Sequence, residues 1–239
     1  MSELMEIGVA RQRILSVFGG PVPEELQVVD ALGRTLIGDI ISPINLPPFT
    51  NSSMDGFAVF SGDVSGASAE HPVQLPVSMD IPAGVSPTTR LERGYAARIL
   101  TGAVLPQGAD AVIQMEDTDQ NLANQANALP ASVTFFKPVQ PGINVRSAGE
   151  DLQRGQIILK SGRKLQPQDI GILVSLGIHT IKVARKPRVA LFSSGDELLT
   201  PDEALAPGKI YDANTYVLNG LLQQAGAEAI HLGIARDNR

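Results

Sequence analysis

The sequence has 239 residues, a formal net charge of −6 and no cysteine. A chain of this length forms one to three compact units, and the lack of cysteine excludes disulfides, thiolate catalysis and zinc–thiolate sites. The acidic balance, with no Lys/Arg cluster along the sequence, argues against nucleic acid and anionic membrane surfaces as partners. No apolar run approaches a membrane span and no secretory signal is visible, so we expect a cytoplasmic protein.

The first predicted element is a helix over residues 9–18, where apolar residues follow helical spacing and a Gly-Gly pair ends the pattern. Residues 26–41 favour short strands or turns, interrupted at Leu32-Gly33. Three prolines then mark an extended connector.

The next block, from Asp55 to about Pro138, has the pattern of β structure and requires no helix. Residues 73–81 alternate apolar and polar side chains, and Pro76 within them indicates an edge strand or a bulge. We therefore predict a small barrel or sandwich. The other elements predicted here are strands over 95–100, 111–115 and 133–137 and a loop over 121–131.

The last third of the sequence changes character. A hairpin is predicted over 156–165, and a helix over 167–176 that ends at Gly177. A βαβ unit with parallel strands follows, formed by a strand over 189–192, a helix over 214–225 and a strand over 229–235. Two parallel strands leave their apolar edges unpaired, so we expect further chain or a partner to complete the sheet.

Polar residues recur at turns beside the predicted strands and helices. They are Asp55 beside Gly56, Thr101 beside Gly102, Asp151 after Gly149-Glu150, Glu197 after Gly195-Asp196, and Asp212 with Asn214. Carboxylates are the usual protein ligands of Mg²⁺, and glycines allow a close approach of the backbone. Each spot alone is more typical of a turn, or of a helix N-cap for Asp212 and Asn214.

The turn at 195–197 has the best independent case for a binding role. It follows a strand that we expect to be buried and parallel, and open α/β sheets bind ligands at the carboxyl ends of their strands. The three histidines, by contrast, lie in no nucleophile motif.

Five blocks in series resemble the MoeA family of molybdopterin molybdenumtransferases, which includes the gephyrin E domain. In chain order they are PPFTNSSMDGFAV (47–59), TGAVLPQGADAV (101–112), NVRSAGED (144–151), SGDEL (194–198) and GKIYDAN (208–214). Their order and spacing match the family from about residue 7 to the end of the sequence.

The resemblance implies a multi-domain fold of α and β elements. An N-terminal helix over 1–22 packs on the α/β or dimerisation region, and residues 23–44 and 139–176 form a small dimerisation domain. A mostly-β, barrel-like inserted domain covers 45–138, and 177–239 begin an incomplete α/β, MogA-like parallel-sheet domain. Family members continue beyond this point, so we expect a natural short form or a truncated chain.

The resemblance also implies molybdenum cofactor biosynthesis. A cytoplasmic homodimer inserts molybdate into adenylylated molybdopterin with release of AMP, uses Mg²⁺, and is a candidate partner of a MogA-type adenylyltransferase. The implied catalytic residues, Asp55, Thr101, Asp151 and Glu197, face one cleft formed between subunits. The implied binding residues are Ser53, Gly102, Arg146, Gly195, Asp212 and Asn214, and the implied metal ligands are Glu197 and Asp55.

This assignment agrees with the chemistry of the substrates. Carboxylates repel molybdate and pyrophosphate, and a divalent cation reverses the local sign of charge and links acid to phosphate. Our hypothesis is that the acids act through the metal. Two alternatives stay open: a non-catalytic dimerising scaffold or partner-binding fragment of the same family, and a generic Mg²⁺-dependent phosphohydrolase.

Overall fold

The computed structural model describes residues 5–120 and 128–237. The α-helices in this part of the chain are Ile7–Ser16 (α1), Pro167–Ser175 (α2) and Ala213–Gln224 (α3). The strands are Pro23–Gln27 (β1), Ile40–Ile41 (β2), Asn51–Ser52 (β3), Gly56–Val59 (β4), Val73–Ile81 (β5), Ala96–Ile99 (β6), Ala111–Gln114 (β7), Ser132–Phe135 (β8), Val145–Arg146 (β9), Ile157–Leu159 (β10), Thr180–Ala184 (β11), Arg188–Ser194 (β12), Leu198–Leu199 (β13), Ile210–Tyr211 (β14) and Glu228–Ala235 (β15). Most of the loop predicted over 121–131 lies outside the described residues.

The chain separates into two compact units. Residues Ile41–Ile158 form one, here called the inserted unit, and the described residues of Met1–Ile40 and Leu159–Arg239 form the other, the terminal unit. The division into four segments that the resemblance implies stays a prediction.

The inserted unit is mostly β, as predicted. Its five-stranded sheet has the order β7-β4-β6-β5-β8, in which β5 and β6 are parallel and the other pairs antiparallel. All four residues of β4 are buried. Phe57 and Val59 belong to one hydrophobic cluster and Ala58 to a second, so both faces of this strand are covered. The continuous apolar run after Asp55 therefore reflects a strand that is buried on both sides.

The sequence predicts an edge strand or a bulge at Pro76. The edge alternative is wrong for β5 as a whole, because β5 lies between β6 and β8, whereas the bulge alternative is supported by an irregularity close to Pro76. Residues 73–76 of β5 pair with β8, whereas Val77 to Ile81 pair with β6, with a register shift between Val77 and Met79. Pro76 thus lies where the pairing passes from one neighbour to the other. A residue without an N–H is tolerated at such an irregularity.

The terminal unit contains a two-stranded antiparallel sheet of β1 and β11 with α2 nearby in sequence. The sequence patterns did not predict β11. Helix α2 confirms its prediction: it has Pro167 at its N-terminus and is followed by Gly177 at a φ of 71°. Helix α1 begins and ends two residues before its predicted bounds, and none of its residues is buried.

The predicted hairpin over 156–165 is wrong. A turn does form, with the N–H of Arg163 donating to the carbonyl of Lys160, and Gly162 has a φ of 84°. The segment after this turn bonds to residues far back in the sequence, since Leu36 donates to the carbonyl of Arg163 and Leu165 to that of Arg34. The turn therefore does not fold residues 163–165 back onto β10, and packing chose residues 34–36 as their partner instead.

The predicted βαβ unit is present, with β12 and β15 parallel and α3 between them in sequence. A short parallel pair of β13 and β14 adds to it. The expectation that the first strand is buried is wrong, because exposed and partly buried residues alternate along β12. Among the described residues from 188 to 237, burial is confined to Gly195, Leu199 and Asp212.

No helix within residues 5–120 and 128–237 is long and apolar enough to cross a bilayer.

Candidate functional site

In the inserted unit, the structure brings Asp55 and Thr101 into contact. The Oδ1 atom of Asp55 accepts hydrogen bonds from the backbone N–H and the hydroxyl of Thr101, each at 2.7 Å. Asp55 immediately precedes β4, and Thr101 follows β6, its antiparallel neighbour, so sheet pairing alone places the two turns side by side. Both residues are exposed, and Gly102 supplies the positive φ of 79° that the turn after Thr101 requires.

The short strand β3 connects this contact to the other predicted residues of the inserted unit. It pairs with β9, placing Asn51 opposite Arg146. The carbonyl of Ser52 accepts the N–H of Gly102 at 2.8 Å, and the N–H of Ser53 donates to the carbonyl of Asn144 at 3.0 Å. Two distant parts of the sequence, Gly102 and residues 144–146, therefore converge on residues 51–53.

Arg146 and Asp151 form an ion pair with an Nη2–Oδ2 distance of 2.6 Å. Both side chains stay about half exposed, at 44% and 49%, so the pair is open to solvent and to ligands. The neighbouring acid, Glu150, instead accepts the N–H of Ser147 at 3.0 Å and closes a local turn. The structure thus gives different contacts to Asp151 and Glu150, two neighbouring acids that sequence patterns alone did not distinguish.

In the terminal unit, a cavity of about 460 Å³ lies at the carboxyl ends of β12 and β14 and at the N-terminus of α3. Ligand sites of open α/β sheets occupy this position. Three of the predicted residues line it, Glu197, Asp212 and Asn214. The remaining lining residues are Ser193, Ser194, Leu198, Ile210, Tyr211 and Ala213.

The carboxylate of Glu197 lies directly against the backbone of Gly195. A Cβ atom at Gly195 would be 2.5 Å from Oε2 of Glu197, and the φ of Gly195 is 151°. Any larger residue would push the carboxylate away and strain the backbone. Gly195 therefore contributes to the site by leaving room for Glu197.

Asp212 is the N-cap of α3, accepting the N–H of Thr215 at 3.2 Å, which confirms the N-cap interpretation for this residue. The same interpretation is wrong for Asn214, which is the second residue within the helix. Hydrogen bonds from Thr215 and Ser193 lower the pKa of Asp212 below its usual value, outweighing the opposite effect of burial. The hydroxyls of Ser193 and Thr215 are themselves 2.6 Å apart. Asp212 thus remains charged at neutral pH and is already engaged in holding α3.

Two residues that the sequence patterns did not single out, Arg236 and Asp237, also reach this site. Asp237 accepts a hydrogen bond from the hydroxyl of Ser194 at 3.1 Å, and its N–H donates to Oδ1 of Asp196 at 3.2 Å. Both follow the carboxyl end of β15. The same strand-end rule that selected Gly195-Asp196-Glu197 would have found them.

The described residues form no group of three His, Asp or Glu side chains that could enclose a metal ion by themselves. Magnesium, however, is often held by one or two carboxylates together with substrate phosphates. Glu197 fits this role because no described residue donates a hydrogen bond to its carboxylate and it lines the cavity. Asp55 fits it as well, since Thr101 occupies only its Oδ1 atom.

Comparison with known proteins agrees with the five sequence blocks. The family model of the MoeA N-terminal region, domains I and II, matches residues 5–177. A molybdopterin molybdenumtransferase of Nostoc sp. is 41% identical over 218 residues, covering 90% of this chain and 48% of that protein. Molybdopterin molybdenumtransferase 2 of Mycobacterium tuberculosis is 37% identical over 216 residues, covering 90% and 51%.

A solved structure shows the same fold. The molybdopterin biosynthesis MoeA protein of Pyrococcus horikoshii superposes with a TM-score of 0.86 at 37% identity, over 99% of this chain and 58% of that one. The chain thus spans about half the length of the relatives it matches. Because the family model covers well over half of the sequence and the fold agrees, this chain belongs to the MoeA family.

Proposed function

We propose that this chain acts in molybdenum cofactor biosynthesis, in the step that inserts molybdate into adenylylated molybdopterin and releases AMP. The observation that carries the proposal is the cavity of the terminal unit. Residues of two family-like blocks, 194–198 and 208–214, line it together, although they are separate in the sequence. The names of the relatives, molybdopterin molybdenumtransferases, support the same reaction.

The charges of the cavity suit a substrate that arrives with a cation. Glu197 and Asp212 make its wall acidic, whereas the pyrophosphate of the substrate is anionic. We propose that Glu197 is a ligand of Mg²⁺ in this cavity and that Asp55 is a candidate Mg²⁺ ligand in the inserted unit. A bound Mg²⁺ would polarise the phosphoryl oxygens and offset their charge. The cavity also lies at the N-terminus of α3, beside Asn214, where the helix dipole favours a negatively charged group such as phosphate.

We also assign roles to residues of the inserted unit. Thr101 fixes one oxygen of Asp55 with two donors and leaves the other oxygen for a ligand. Arg146 is the anion contact, and Asp151 holds its guanidinium in place. The homodimer, the cleft formed between subunits, the cytoplasmic location and a MogA-type partner belong to the proposal through the family resemblance.

Calorimetry tests the proposal directly. Adenylylated molybdopterin is titrated into the protein with and without Mg²⁺, and we expect binding that tightens when Mg²⁺ is present. The variant Glu197→Gln keeps the size of the side chain and removes its charge, so it should lose the effect of Mg²⁺. No binding under either condition would remove the enzymatic function for this chain.

The matched control is Glu203→Gln. Glu203 belongs to the same unit, but its carboxylate accepts both the N–H and the hydroxyl of Thr200, at 2.7 and 2.8 Å, and it does not line the cavity. We expect this variant to bind like the unmodified protein. An equal loss in Glu203→Gln and Glu197→Gln would show that general acidity, and not a ligand position, explains the result.

A second candidate function, a partner-binding scaffold, is favoured by one observation. Helix α1 and the residues after it expose large apolar side chains, with Ile7, Val17 and Phe18 exposed to 89%, 80% and 70%. Exposed apolar groups in this number are typical of an interaction surface. A dimer in sedimentation analysis, together with no substrate binding in calorimetry, would select this function.

A further inference from the structure

The guanidinium of Arg236 is surrounded by backbone carbonyls of the loop that carries Glu197. Its Nη1 atom donates to the carbonyl oxygens of Gly195, Asp196 and Leu198 at 3.3, 3.2 and 3.0 Å. The carbonyl that is missing from this set, that of Glu197, accepts the N–H of Ile210 at 2.9 Å. The four successive carbonyls of residues 195–198 are therefore all bonded within the terminal unit.

Further hydrogen bonds connect the same loop to β15 and to the residue before β14. Lys209 donates from Nζ to the carbonyl of Asp196 at 2.5 Å, and the N–H of Gly195 donates to the carbonyl of Ala235 at 3.1 Å. Arg236 follows β15 directly, and Lys209 precedes β14. Each end of the loop is therefore fastened to a parallel strand by its backbone and by a cation.

Carbonyl oxygens that converge on one point repel each other unless a positive group lies between them. An arginine stays protonated at every accessible pH, and its planar head presents several donors in fixed directions. Three carbonyls around one nitrogen thus need Arg236 to keep their present arrangement. Without it, the carbonyls of Gly195 and Leu198 lose this donor, and the bonds from Lys209 and Ile210 to the carbonyls of Asp196 and Glu197 are left to hold the loop. The direction of the Glu197 side chain is then less firmly fixed.

We propose that Arg236 is a positioning residue that directs the carboxylate of Glu197 into the cavity by clamping the carbonyls of residues 195–198. Its part in substrate binding rests on the function proposed above, whereas its effect on the loop does not. Arg236 touches no substrate in this scheme. It acts through the loop, so its removal should reproduce the loss of Glu197 and add nothing to it.

Amide hydrogen exchange measured by NMR, without any substrate, tests the clamp. The reporters are the amides of Gly195, Ile210 and Asp212, which donate to the carbonyls of Ala235, Glu197 and Leu199. In Arg236→Met, which keeps an unbranched side chain as far as the position of Nε and removes the charged head with its donors, we expect exchange at Ile210 to become at least tenfold faster. In Arg236→Lys, which keeps a cation with three donors, most of the protection should return.

The matched control is Arg188→Met. Arg188 lies on β12 of the same sheet, but its nearest carboxylate partner, Glu228, is 3.9 Å away and its side chain is 64% exposed. Exchange at Ile210 should not change in this control. Unchanged exchange in Arg236→Met, or equal exchange in the Met and Lys variants, would overturn the proposal, because either result shows that no charged clamp exists.

A double-mutant cycle in calorimetry separates positioning from general support of the fold. We expect Arg236→Met and Glu197→Gln to weaken Mg²⁺-dependent binding of adenylylated molybdopterin, and the double variant to bind no more weakly than Glu197→Gln alone. Additive losses would contradict action through Glu197. If the unmodified protein binds no substrate, the proposed function fails, and the exchange experiment still decides whether Arg236 clamps the loop.

Discussion

Gly56 leaves room for the backbone of β7 where β4 begins. A Cβ atom at this position would lie 2.0 Å from the carbonyl oxygen of Ile113, far inside van der Waals contact. Gly56, which follows Asp55, therefore cannot be replaced by a larger residue without moving the sheet. The Asp-Gly sequence serves both the turn contact with Thr101 and the close pairing of two strands.

We predict that Gly56→Ala destabilises the protein by roughly 3 kcal/mol or more, because overpacking of a buried site forces a shift of the backbone. The control is Gly66→Ala, where the added Cβ atom meets nothing within 4 Å and the change should stay within about 0.5 kcal/mol. Urea unfolding followed by circular dichroism measures both. Similar midpoints for the two variants would show that the sheet accommodates the methyl group.

The site residues show that sequence patterns predicted which residues matter but not which residues contact each other. Asp55 and Thr101 were both selected as polar turn residues, and the family resemblance implied that they face one cleft, yet no sequence pattern predicted their direct hydrogen bonds. Their contact depends on the pairing of β4 with β6, and β5 lies between these two strands in the chain. Likewise, the roles of Glu150 and Asp151 became distinct only when their partners, Ser147 and Arg146, were known.

At the scale of elements, α2 shows how local signals fix a helix. Asp169, its third residue, is buried, and its Oδ2 atom accepts hydrogen bonds from Nε of Arg163 at 2.8 Å and from the N–H of Gln166 at 2.9 Å. The bond from Arg163, with the smaller contribution of Gln166, holds the pKa of Asp169 below its usual value, although burial acts in the opposite direction.

We predict that Asp169→Asn lowers the free energy of unfolding by about 1–3 kcal/mol at pH 7, since it removes the charged acceptor of a buried hydrogen bond. A carboxylate whose pKa is lowered by folding stabilises the folded protein at pH values above its unfolded-state pKa. This stabilisation disappears as the pH falls through the pKa of the folded state. The difference between variant and unmodified protein should therefore shrink below about pH 4.

Thermal unfolding from pH 2.5 to pH 7 provides the measurement for Asp169→Asn. The control is Glu25→Gln, which replaces an exposed carboxylate of β1 that makes no hydrogen bond or ion pair with any described residue. Its stability should follow that of the unmodified protein across this range. A deficit of Asp169→Asn that stays constant down to pH 2.5 would mean that packing, and not charge, accounts for it.

Elements with their own start and stop signals were predicted to within about two residues. Helix α3 is one example, with its N-cap Asp212 and the following Gly226, and the nine-residue alternation of β5 is another. The two-residue strands β3, β9, β13 and β14 were missed, because so short a segment shows no period. These short strands nevertheless position most of the candidate site.

At the scale of the whole molecule, the inserted unit is a continuous stretch of chain, Ile41–Ile158, with its own hydrophobic clusters on both faces of its sheet. We predict that this segment folds when expressed alone, since a compact unit with its own core is able to fold independently. A dispersed NMR spectrum and one cooperative unfolding transition are expected. A fragment that lacks a cooperative transition would show that its fold depends on the rest of the chain.

The sequence by itself determined the mostly-β class of the inserted unit, the helices and the βαβ unit of the terminal unit, the turns at which acids stand beside glycines, and the family resemblance in five blocks. These features depend on neighbouring residues, whose propensities and spacing act locally. Only the tertiary structure decided that Thr101 bonds to Asp55, that Arg163 and Leu165 bond to Leu36 and Arg34, and that Arg236 gathers the carbonyls of residues 195–198. Such contacts join residues that are distant in the chain, and they follow from strand order and packing, which no local pattern specifies.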